Sequence, residues 1–104
     1  MTEHNRLEFH EKLCTMLGSR NVYFQPPETV KLSYPCIVYS RNDDYVRHAD
    51  NTGYMAVDCY RVQIIAKDPA FELFETFTSK WQYVRQEPPF TADNMNHHNY
   101  TVYY

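Results

Sequence analysis

The sequence predicts an α+β fold: a central antiparallel sheet of four to five strands with a long hairpin, flanked by two helices. Three observations carry that expectation. Phe9, Leu13 and Leu17 recur at helical spacing, residues 60–67 put Tyr60, Val62, Ile64 and Ala66 on one side, and residues 100–104 read Tyr-Thr-Val-Tyr-Tyr. The first pattern suits a helix and the other two suit strands. A chain of 104 residues, 43% of them hydrophobic, makes one domain, 1–104, with a modest core.

The elements follow in order. Residues 5–17 form the first helix, with Asn5 and Glu8 spaced as a capping box and Gly18 able to take the left-handed conformation that ends it. Val22-Tyr23-Phe24 is a short strand stopped by Pro26-Pro27. The next strand starts at Pro35 and runs through Tyr39, and the charged residues 41–50 prolong it into a projecting arm. Asp50-Asn51-Thr52-Gly53 turns the chain, since Asn and Gly reach positive φ. Residues 54–67 are the longest strand. Its second side, Arg61, Gln63, Ile65 and Lys67, is too polar to be fully covered, which favours an antiparallel sheet with one wet face.

Asp68-Pro69 opens the second helix, whose stripe of Phe71, Phe74, Phe77 and Trp81 is core or interface. A strand at Tyr83-Val84-Arg85 ends at Pro88-Pro89, and a polar turn over residues 91–99 leads into the final strand, residues 100–104. In that turn Asp93, Asn94 and His97 are structural residues. Chain ends fray unless tied down, so an aromatic end is expected to be held in a sheet or by a neighbouring subunit.

Composition narrows the function. The net charge is −3 and the basic residues are scattered, so there is no patch for phosphate-driven binding of nucleic acid. Ten tyrosines suit half-buried strands and subunit interfaces. Cys14, Cys36 and Cys59 read as buried free thiols in a protein made in a reducing cytoplasm, with no leader and no membrane span.

No chemistry-bearing constellation stands out. Asp93, His97 and His98 are the best metal candidates, but adjacent histidines on an extended chain point to opposite sides. His48 with Asp50, or a histidine near Cys59, lacks an activated nucleophile. Only Gly18 and Gly53 are present, so a glycine-rich phosphate loop is out. The expectation is a non-enzyme with no cofactor and no metal.

Several ordered segments carry a resemblance: residues 34–39 (Tyr-Pro-Cys-Ile-Val-Tyr), His48-Ala49-Asp50-Asn51, residues 59–69 ending in Lys67-Asp68-Pro69, and residues 90–97 ahead of Tyr100. Over roughly residues 15–104 the chain resembles the tail-terminator or tail-completion proteins of tailed bacteriophages. The resemblance implies a small α/β subunit, six copies of which form a ring that caps the tail tube and meets the head–tail connector protein. DNA passes through the lumen only as cargo. It implies a virion protein of the head–tail junction, assembled in the host cytoplasm, with the tail tube protein as partner. In this chain an aromatic helix ending at Trp81 replaces the piece that many similar sequences carry there.

On that reading the arm of residues 41–54 contacts a neighbour or the tube. The interface candidates are Arg41, Asp44, Tyr45, Arg47, His48, Asp50 and Tyr54, with Tyr103 and Tyr104 at the terminal strand. Two other classes compete: a head-closure or adaptor component binding the portal side, and a small monomeric protein-binding module.

Overall fold

The computed structural model describes residues 6–42 and 59–104. They form an α+β fold with a mixed six-stranded sheet and two helices, in the order α1 (Arg6–Leu17), β1 (Val22–Phe24), β2 (Cys36–Arg41), β3 (Cys59–Ala66), α2 (Glu72–Thr76), β4 (Tyr83–Gln86), β5 (Phe90–Ala92) and β6 (Met95–Tyr103). A 3-10 turn, Phe77–Lys80, prolongs α2. Neighbouring strands run β1-β2-β3-β6-β4, and β5 also pairs with β6. Among the described residues no helix is long and apolar enough to cross a membrane.

The sheet is antiparallel except at one edge, where β1 runs parallel to β2 with Val22 opposite Ile37. Strands β3 and β6 form its centre: Tyr60 lies opposite Val102, Val62 opposite Tyr100 and Ile64 opposite His98. These side chains share the packed side with Ile37 and Tyr39 of β2, Phe9 and Leu13 of α1, Phe74 of α2, and Phe77 and Trp81 beyond it. Phe9 is the keystone. It stacks on Tyr60 at 4.2 Å and also meets Tyr39, Trp81 and Tyr104.

Helix α1 closes as its sequence implies: Gly18 has φ +82 and donates its N–H to Cys14 O at 2.9 Å. Three details differ from expectation. Asp68 does not cap a helix but an earlier turn, accepting Ala70 N–H at 2.9 Å on Oδ1 and Phe71 N–H at 3.1 Å on its carbonyl. The α-helix therefore begins only at Glu72, and its aromatic stripe continues through the 3-10 turn to Trp81. The last strand starts at Met95 rather than Tyr100, because Asp93 and Asn94 (φ 53 and 61) make a two-residue hairpin that pairs Ala92 with Met95 and creates β5. His97 is consequently a strand residue beyond the turn, opposite Ile65 on one side and Phe90 on the other.

Candidate functional site

Helices and their connections cover one side of the sheet; among the described residues no helix covers the other. Strand pairing arranges that open face as a grid. Its central row runs Ser40, Arg61, Thr101, Arg85 across four strands, because Ser40 lies opposite Arg61, Arg61 opposite Thr101, and Thr101 opposite Arg85. The next row is Val38, Gln63, Asn99, Glu87, the last joined through Glu87 N–H to Asn99 O at 2.8 Å. Beyond it lie Cys36, Ile65, His97 and Phe90. At the opposite end, Cys59, Tyr103 and Tyr83 form the last row, with Asn42 N–H bonded to Cys59 O at 2.7 Å.

The two central rows line a depression of 650 Å³. Arg61 and Arg85 are exposed on either side of the buried Thr101. Arg85 Nε lies 3.3 Å from Glu87 Oε2, an exposed pair of little energetic weight. Arg61 has no ion-pair partner among the described residues. Two aromatic rings stand at the outer margin, Tyr83 (50% exposed) and Phe90 (47%). Phe90 is held upright by His97, stacked on it at 4.8 Å and 3°.

Along the edge next to them the backbone groups of Val84 and Gln86 face away from β6, and Pro88 and Pro89, which lack N–H groups, keep any further ladder short.

Sequence-derived site residues scatter across the fold. Asp44, Tyr45, Arg47, His48, Asp50 and Tyr54 lie outside the described residues. Arg41 sits at the end of β2 on the packed side, exposed, with its guanidinium 5.7 Å above the Tyr60 ring. Tyr103 is on the open face, half-buried between Cys59 and Tyr83. Tyr104 is turned the other way: its ring packs at 5.4 Å from Phe9 and 5.6 Å from Trp81, and its hydroxyl bonds the Glu8 carboxylate. Burial and that carboxylate both push its pKa up. Tyr104 thus packs, partly buried, against the aromatic core.

Asp93 and Asn94 form the hairpin turn between Ala92 and Met95. His97 and His98 face opposite sides, His97 on Phe90 and His98 stacked on Phe74 at 3.8 Å. No group of three His, Cys, Asp or Glu residues gathers to hold a metal ion among the described residues. The three cysteines are free and buried. Burial pushes Cys36 up to about 11 and raises Cys14 and Cys59, which opposes thiolate formation.

Arg61, Thr101, Arg85 and Phe90 were not among the sequence-derived candidates. Only the alternation of β3, with Arg61 and Gln63 on its polar side, signalled this face in advance. No family model matches the chain, and no curated protein and no solved structure matches it.

Proposed function

We propose that this chain is a structural ring subunit of a tailed-phage particle, a tail terminator. About six copies cap the tail tube and join it to the head connector, and DNA crosses the lumen. The role is non-catalytic and uses no cofactor. The observation that carries the reading is the difference between the two sides of the sheet. One side is spent on a helix-covered aromatic core; the other, which no helix covers among the described residues, is polar over its central rows and flanked by Tyr83 and Phe90.

A subunit whose opposite sides differ can join one side to the other side of the next copy, and such heterologous contacts close into rings when the rotation divides a full turn. Tyrosine, phenylalanine and arginine on one face match the composition of protein interfaces. The net charge of −3 suits a lumen that must not hold phosphates. The resemblance of residues 34–39, 59–69 and 90–97 to tail-terminator sequences supports the same reading.

The test is electron microscopy of preformed tail tubes with and without the protein. Density confined to one tube end, and tails of uniform length, are expected. Tubes that remain bare at both ends would contradict the proposal. Charge reversal at Arg47 or Asp50 is expected to lengthen or uncap tails while circular dichroism stays unchanged; normally capped tails would remove the arm from the account.

A further inference from the structure

We infer that the open face of the sheet receives the helix-side surface of a second copy of this chain, with Arg61 and Arg85 meeting Glu72 and Glu75. The inference rests on the ring reading and deepens it by naming both surfaces.

The charges are complementary. On the open face two exposed guanidiniums flank Thr101, and the only acid in those rows is Glu87, beside Arg85. Glu72 and Glu75 of α2, on the far side of the sheet, are both exposed. They stand three residues apart on one helical face, and among the described residues neither has an ion-pair partner. The open face is thus richer in cations and α2 in acids, and one copy displays both.

Shape adds a second match. Next to α2 is a recess of 370 Å³ in which Tyr34, Pro35, Ala66 and Phe71 form the apolar wall and Lys67 and Asp68 the charged rim. An aromatic ring can lie against that wall. The open face presents one in Phe90, 47% exposed at its margin. With strands about 4.8 Å apart and same-side residues about 6.8 Å apart, the two central rows cover on the order of 250 Å² before side-chain relief is added. A stable interface takes roughly 800 Å² from each partner, so these rows form the centre of a contact that the flanking aromatics and the residues around them extend.

Front-to-back contact permits a decisive mixing experiment with the full-length chain. One variant reverses the face (Arg61→Glu with Arg85→Glu) and the other reverses the helix (Glu72→Arg with Glu75→Arg). Each alone sets like charges against each other at every contact. Mixed, the first offers an acidic helix to the basic face of the second, and the second offers a basic helix to the acidic face of the first.

Native mass and sedimentation velocity are the readouts, with circular dichroism to confirm folding. Each variant alone is expected to assemble on the order of 100-fold more weakly than the parent, and the equimolar mixture to recover an alternating ring. Parent assembly should weaken with added salt. The neutral variant Arg61→Gln with Arg85→Gln, which asks less of folding, should assemble weakly with little salt dependence.

Variants that assemble like the parent, or two assembly-defective variants whose mixture stays dissociated, overturn this pairing and leave the ring reading standing. A parent chain that stays monomeric alone and on tail tubes overturns both.

Discussion

Replacing Phe9 by alanine tests the packing of the fold at its most connected point. Phe9 is 0% exposed, and its ring is enclosed by Tyr60, Tyr39, Trp81 and Tyr104 at centroid distances of 4.2, 5.4, 5.1 and 5.4 Å. Truncating a buried phenylalanine costs roughly 3–5 kcal/mol, depending on how far the surroundings collapse. Here two of the four rings are fixed in paired strands of the sheet, so collapse is limited. The stacked and edge contacts add to the area term. About 4–5 kcal/mol is therefore expected.

A domain of this size is stable by roughly 5–15 kcal/mol, and each kcal/mol moves Tm by about 4–5 °C, so Tm should fall by roughly 16–25 °C. Urea denaturation followed by fluorescence of Trp81, the single tryptophan, measures the change directly. Leu7→Ala is the control: Leu7 is on the same helix but 65% exposed, and its loss should shift stability by no more than about 0.5 kcal/mol. If the two variants lie within about 1 kcal/mol of each other, α1 does not anchor to the sheet through Phe9 and the core described above is wrong.

Further outcomes follow from the same structure. Trp81→Ala should cost roughly 3–5 kcal/mol, because the ring is 9% exposed and packs on Phe9, Phe77 and Tyr104; an unchanged urea midpoint would contradict this. Gly18→Ala should cost about 1–2 kcal/mol from the positive φ alone, since an added Cβ meets nothing within 4 Å; a neutral result in thermal melts would mean the helix ends differently. Stability should fall on acidification, because burial lowers the pKa of both His98 and His10 below 6.5. A lowered folded pKa means that the stabilisation is complete above pH 6.5 and is lost as pH drops through the folded value. His98→Phe should flatten that profile, and an equally steep one would acquit His98. Native protein at pH 8 should show no fast-reacting thiol, given three buried cysteines with raised pKa; one rapid equivalent of a thiol reagent would refute it.

What the sequence made legible, and what it hid, have separate physical causes. Helix α1 was readable because Phe9 and Leu13 keep helical spacing and Gly18 marks the stop. Strand β3 was readable because a half-covered strand must alternate. Strand β5 and the first half of β6 were not, because Asn96, His97, His98 and Asn99 have no strand composition of their own. They are extended because Ile64, Ile65 and Ala66 of β3 lie opposite them and Asn96 Nδ2 bonds Ala66 O and Lys67 O. Tertiary pairing overrides propensity there.

The same cause hid the candidate face. Arg61, Thr101 and Arg85 belong to three strands far apart in sequence, and only the register makes them one row. The parallel run of β1 was hidden too, since three residues, Val22-Tyr23-Phe24, carry no sign of direction.

The central proposal is that a polar sheet face and a helix-covered face join copies of this chain front to back in a ring. The native mass of the purified full-length protein, measured at low and high salt, tests it most directly. The account predicts a closed species near six times 12.5 kDa at low salt that dissociates as salt rises. A monomer at every salt and protein concentration, which also ignores tail tubes, would contradict it.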